Sequence, residues 1–129
     1  MNLLLDTCAI LFLAIDDPCI KDSTRRLIRE AERIFVSPIS SAELACLQER
    51  RRIELPIHWK PWLREAIDTN GWSIKPITLE IMEEAYSLPG SFHTDPADRI
   101  LTATARHEDL ILLSTDRKLL DYPHLQARW

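Results

Sequence analysis

Leu3-Leu4-Leu5-Asp6 opens the chain with three apolar residues running into a carboxylate. The same construction returns near the end, where Leu110-Ile111-Leu112-Leu113 runs through Ser114-Thr115 into Asp116. Two more short apolar runs, Ile34 to Val36 and Trp72 to Ile74, lie between them. Each is strand-length, and stretches of helical periodicity separate them. That alternation predicts an α/β fold: a mainly parallel sheet of about four to five short strands flanked by helices. Between Ser23 and Phe35, Leu27, Ile28, Ala31, Ile34 and Phe35 share one helical face, and Arg25, Arg26, Arg29 and Arg33 the other. A helix is predicted from Ser40 to about Arg52. Trp59, Trp62, Leu63, Ala66 and Ile67 form a second apolar stripe, which Asn70-Gly71 closes. Leu79 to Leu88 ends at Pro89-Gly90. Asp95-Pro96 starts the last long helix, with aspartate as N-cap and proline in the first turn, continuing to about His107.

With 129 residues the chain suits a single domain, 1–129. A domain of that size buries roughly two thirds of the surface its unfolded chain exposes, so a core forms without disulfides. Only two glycines occur, and there is no repeat or low-complexity tract. Asp6 interrupts the first apolar run at once and no basic segment precedes it, unlike a secretory signal. No stretch approaches the ~20 apolar residues of a membrane span. Cys8, Cys19 and Cys46 are odd in number, widely spaced and without a metal-ligand pattern, which predicts reduced thiols and a cytoplasmic setting. The net charge of −4 is unusual for a general nucleic-acid binder. It suits a chain that concentrates carboxylates in one place and arginines in another. No phosphate-binding glycine loop with its lysine is present, which argues against an NTPase.

In open α/β sheets, ligands bind beyond the carboxyl ends of the strands. Asp6 and Asp116 follow two predicted strands directly. The Ile34–Val36 run leads through Ser37-Pro38-Ile39 into the helix carrying Glu43. Asp98 lies in the first turn of the Asp95 helix, on a face with Leu101, Thr102 and Ala105, where a carboxylate is costly unless compensated. Each acid has an ordinary structural alternative. Asp6 can cap a helix, Ser40-x-x-Glu43 reads as a capping box, Asp98 can serve the helix dipole, and Asp116 can be a turn residue. Their joint placement carries the functional case. Four converging carboxylates raise one another's pKa values, and a divalent cation relieves that penalty. All-oxygen ligands favour Mg2+ or Mn2+ over zinc. Such a site suits phosphoryl chemistry without a histidine, serine or cysteine nucleophile. His93 is expected to be a loop residue rather than a base.

The ordered set resembles a PIN domain, specifically the VapC-like toxins of bacterial toxin–antitoxin pairs. The resemblance spans nearly the whole chain. It is carried by Leu3-Leu4-Leu5-Asp6-Thr7, Ser37-Pro38-Ile39-Ser40-Ser41-Ala42-Glu43-Leu44, His93-Thr94-Asp95-Pro96-Ala97-Asp98-Arg99-Ile100-Leu101-Thr102-Ala103-Thr104-Ala105 and Leu112-Leu113-Ser114-Thr115-Asp116. The family's four acidic positions fall on Asp6, Glu43, Asp98 and Asp116. The resemblance implies a PIN-like fold and a metal-dependent ribonuclease using Mg2+ or Mn2+, with RNA as substrate. It also implies a homodimer and a cognate antitoxin that blocks the site. Thr7 and Thr115 match small hydroxyl positions beside the metal site. Asp95 either touches metal or only caps its helix.

Outside the acidic set, Arg25 and Arg29 are candidates for following an RNA backbone, against the commoner role of a solvated helix face. Arg50 and Arg51, in the densest basic run, suit either RNA or the end of a helix dipole. Two other readings compete. A haloacid-dehalogenase-like phosphatase requires a second aspartate two residues after Asp6, where this chain has Cys8. A non-catalytic PIN-like module binding RNA or protein is the alternative that only a cleavage assay separates.

Overall fold

A computed structural model describes residues 1–129. Five strands, β1 (Asn2–Leu5), β2 (Arg33–Val36), β3 (Ser73–Ile74), β4 (Ile111–Leu113) and β5 (Ala127–Arg128), form one sheet in the order β3-β2-β1-β4-β5. Every pairing is parallel; Leu5 aligns with Val36 on one side and Leu113 on the other. Seven helices connect them: α1 (Thr7–Ala14), α2 (Asp22–Glu30), α3 (Ile39–Glu49), α4 (Trp59–Asn70), α5 (Leu79–Ala85), α6 (Pro96–His107) and α7 (Arg117–Leu120).

The Leu3-Leu4-Leu5 run is apolar throughout because both faces of β1 are covered, as parallel strands require. Leu3 and Leu5 enter a core with Ile10, Leu44, Trp62 and Leu63 from the helices between β1 and β3. Leu4 points the other way, to Leu101, Ala105 and Leu119 from the helices after β3. All three leucines are fully buried, and burying each contributes roughly 1.5–3 kcal/mol. The chain therefore moves outward from β1 through β2 to β3, then returns to place β4 on the opposite side of β1. The order reverses between β1 and β4, and the crevice beyond their carboxyl ends is where such folds bind ligands.

The four expected strands are present. The fifth, β5, has two residues and no apolar run to mark it. The helix expected over 23–35 ends at Glu30, because Ala31 turns to extended backbone with φ −66° and ψ 136°. Arg33 therefore belongs to β2, where it donates to Ser73 Oγ at 3.1 Å. The α4 prediction matches, down to Gly71 closing the helix at φ +67°, a left-handed conformation suited to glycine. The α5 helix stops at Ala85, short of Leu88. No helix is long and apolar enough to cross a membrane.

Candidate active site

Asp6 leaves β1 at its carboxyl end, its N–H donating to Leu113 O at 3.1 Å, so the β1–β4 ladder itself fixes this residue. Its side chain caps α1 by accepting from the Ala9 N–H at 2.7 Å. Asp116 sits beyond β4 and caps α7, accepting from the Lys118 N–H at 2.9 Å, while its own N–H donates to Ser114 Oγ at 3.0 Å. These two acids flank the point where the strand order reverses. The capping role foreseen for Asp6 is real, whereas Asp116, read as a turn residue, proves to be a cap as well; each cap uses one carboxylate oxygen.

Glu43 behaves differently from a capping-box residue. The α3 helix begins earlier, with Pro38 at its N-cap position, so Ser40 lies inside the helix and is fully buried. Thr7 lies between the two: its hydroxyl donates to Glu43 Oε1 and stands 3.0 Å from Ser40 Oγ. The hydroxyl expected beside the acidic set thus orients one of its members. Asp98 does not cap α6 either. Asp95 does, accepting from the Asp98 N–H at 3.1 Å. Asp98 turns instead to His93, with Oδ2 2.6 Å from Nε2. Its helical face behaves as expected: Leu101, Thr102 and Ala105 are buried below it.

The charges of these acids act on one another. Burial pushes the Asp6 carboxyl up to about 6, and the charges of Asp98 and Asp116 add to it against the Ser114 and Ala9 hydrogen bonds. Burial also raises Glu43, opposed by the Thr7 hydrogen bond and reinforced by Asp98, Asp95 and Asp6. Asp98 is raised by burial, opposed by its bond to His93 and reinforced by Asp95 and Asp116. Cys8, in the first turn of α1, reports on the whole set. Its thiol is pushed up to about 11, first by desolvation and then by Asp6, Glu43, Asp116 and Asp98 together. No lysine or arginine pairs with any of the four.

The side chains do not close around a common point: no three His, Cys, Asp or Glu groups stand together at metal-holding spacing. The convergence expected from sequence is therefore one of backbone positions and field, with Glu43 and Asp98 engaged by Thr7 and His93. The donor set is all carboxylate, buried at Asp6 and half-buried at Glu43, Asp98 and Asp116, and short of positive charge, and in those respects fits a hard divalent cation.

The remaining candidates lie apart. Thr115 is exposed beside Asp116, and Asp95 is exposed at the start of α6. Arg25 pairs with Asp16 and donates to Asp17 O at 3.1 Å, which ties α2 to the preceding loop. Arg29 is exposed on the last turn of α2. Arg50 and Arg51 are exposed at the end of α3, Arg51 with φ +56°. Sequence reasoning missed the roles of Ser40, Ser114 and His93. The two serines border strand or helix ends, and the signal for His93 was its spacing, five residues before Asp98.

Comparison with known proteins agrees with this architecture. Residues 3–125 match the PIN domain family. Ribonuclease VapC22 of Mycobacterium tuberculosis is 34% identical over 126 residues, covering 95% of this chain and 93% of that protein. Among solved structures, DNA-bound VapBC from Salmonella typhimurium aligns with a TM-score of 0.70 at 13% identity, over 99% of this chain and 97% of the other. A toxin–antitoxin complex from Klebsiella pneumoniae aligns with a TM-score of 0.66 at 19% identity, over 98% and 96%. With a PIN match along nearly its whole length and its acidic positions gathered at the sheet's reversal point, this chain belongs to the PIN-domain family.

Proposed function

We propose that this protein is a metal-dependent ribonuclease that hydrolyses RNA phosphodiester bonds, and that it is the toxin of a toxin–antitoxin pair. One observation carries the reading: Asp6 and Asp116 stand beyond β1 and β4 where the strand order reverses, Thr7 beside Asp6 holds Glu43, and no lysine or arginine pairs with these acids or with Asp98. An edge built that way is unfavourable on its own and favourable around a cation. The ribonuclease identity of the 34% relative supports the same substrate class.

Asp6, Glu43, Asp98 and Asp116 would hold Mg2+ or Mn2+. When bound, such an ion activates water, neutralises phosphate charge and stabilises the leaving oxygen. The chain's own residues prepare the place. The β1–β4 ladder sets Asp6, Thr7 sets Glu43, and Ser114 sets the backbone of Asp116. Thr115 and Asp95 border the edge; Asp95 acts through its charge and its cap on α6.

The reading includes a cognate antitoxin, supported by the toxin–antitoxin complexes among the structural neighbours. It includes a homodimer, which the family resemblance implies. The aromatic stripe of α4 adds little to that, since Trp62, Leu63 and Ala66 are spent on the core. Three free cysteines suit a cytoplasmic setting.

The deciding experiment is cleavage of labelled RNA by the purified protein with Mg2+ or Mn2+ and with chelator. Cleavage that requires the metal is expected. A protein that binds RNA with metal present but never cuts tRNA, rRNA or mRNA would establish the non-catalytic alternative instead.

A further inference from the structure

His93 stands on a loop between α5 and α6, where sequence reasoning gives it no role. The structure holds it firmly. Its ring stacks on Phe92, centroids 4.5 Å apart at 19°, and Phe92 meets Tyr122 edge-on at 4.9 Å. The Tyr122 hydroxyl donates to Pro89 O at 2.5 Å. Arg99, the residue after Asp98, donates to Phe92 O at 3.1 Å and to Ala85 O at 2.9 Å. The loop is thus pinned from α6, from α5 and from the Tyr122 segment, and the product of that pinning is one contact: His93 Nε2 on Asp98 Oδ2 at 2.6 Å.

We propose that His93 is the positioning residue for Asp98, engaging Oδ2 and leaving Oδ1, which takes no hydrogen bond, as the oxygen free to bind a cation. The inference rests on the metal-site reading above. Asp98 is unlike the other three acids in its support. Asp6 and Asp116 are held by backbone N–H groups of the helices they cap, and Glu43 by a threonine one helix away. The Asp98 side chain is half-buried, accepts no backbone hydrogen bond, and has His93 as its one hydrogen-bond partner. A hydrogen bond from Nε2–H to Oδ2 engages one oxygen, and Oδ1 takes no hydrogen bond. A ligating carboxylate is ordinarily fixed by such an outer hydrogen bond, and removal of the partner typically weakens metal binding about 10–100-fold. The stacking on Phe92 and the two Arg99 bonds explain why a surface loop carries so many fixed contacts: they set the donor's direction.

The test is Mn2+ binding without RNA, followed by the loss of the free-ion electron paramagnetic resonance signal. His93→Ala is expected to bind about 10–100-fold more weakly than wild type. His93→Gln, whose amide nitrogen reaches the same position, is expected to recover most of that loss. In an Asp98→Asn background, His93→Ala should change nothing further. A structural role alone would lower the chelator melting temperature of His93→Ala without this pattern. Wild-type affinity in His93→Ala overturns the proposal, as does a Gln variant as weak as the Ala variant. A wild-type protein that takes up no Mn2+ overturns the metal-site reading itself, which separates the two failures.

Discussion

The two ends of the sheet treat charge in opposite ways. At the amino end, charges meet their opposites: the Met1 ammonium lies 3.7 Å from Glu32, and Arg106 at the end of α6 lies 3.5 Å from Glu84. At the carboxyl end, Asp6, Glu43, Asp98 and Asp116 meet no lysine or arginine, and only Asp98 meets a histidine. The first arrangement is what stability alone favours. The second is unfavourable in isolation, and a fold retains such a place where something else binds there. The strand order makes the difference consistent, since the carboxyl end at β1 and β4 is the reversal point of the sheet.

The largest effect expected from this contrast is on cleavage. Asp6→Asn and Asp98→Asn should each reduce metal-dependent RNA hydrolysis by more than the ~10–100-fold typical of losing an outer partner. Asparagine caps a helix about as well as aspartate, so α1 should form normally in Asp6→Asn. Near-wild-type turnover by both variants in a Mg2+ or Mn2+ assay would leave the carboxyl end with only its capping functions.

The next effect is on stability and has opposite signs at the two ends. Asp6 titrates near 3.8 in the unfolded chain and about 6 in the fold. Its raised pKa favours the folded state when the carboxyl is protonated. That contribution is complete below about pH 4 and is lost as pH rises through about 6. Glu43 and Asp98 shift in the same direction. Chelator melts of the wild type should therefore fall across that window. Asp6→Asn should flatten the fall and gain on the order of 1–3 kcal/mol above pH 7. At the other end, Glu84→Gln should lose about 0.5–1 kcal/mol by leaving Arg106 unpaired. Melts that move the same way in both variants would erase the distinction between the ends.

Much of this was legible in sequence, for specific reasons. The leucine runs announce buried parallel strands because both faces of β1 and β4 are covered. Asp6 follows the first run directly and Asp116 lies three residues past the end of the last, so the placement of these two comes with the strands. Asp95-Pro96 and Asn70-Gly71 mark helix ends because their backbone chemistry is local. What was illegible depends on tertiary contact or on a missing pattern. The α1 helix is Thr-Cys-Ala-Ile-Leu-Phe-Leu-Ala, apolar on nearly every side, so it has no polar face to give a period. The Ser40-x-x-Glu43 spacing suggested a capping box, but α3 starts before Ser40, and both residues answer to Thr7, more than thirty positions away. His93 gains its partner only because Arg99 and Tyr122 fix the loop.

The smallest effect concerns how an acidic edge comes to hold a polyanion. Phosphates approaching Asp6 and Asp116 are repelled until a cation is present, so grip from arginines elsewhere is the natural complement. The α2 helix offers two, and the structure makes them unequal. Arg25 is tied to Asp16 and to Asp17 O, so Arg25→Ala should cost about 0.5–1 kcal/mol of stability whatever it does to RNA. Arg29 is exposed and makes no ion pair, so Arg29→Ala should melt like the wild type. If Arg29 follows the RNA backbone, its removal should lower the slope of log affinity against log salt by about one. Binding curves at several salt concentrations measure that slope directly. An unchanged slope in Arg29→Ala would make its guanidinium a solvating group only, and would move the search for the RNA grip to Arg50 and Arg51 at the end of α3.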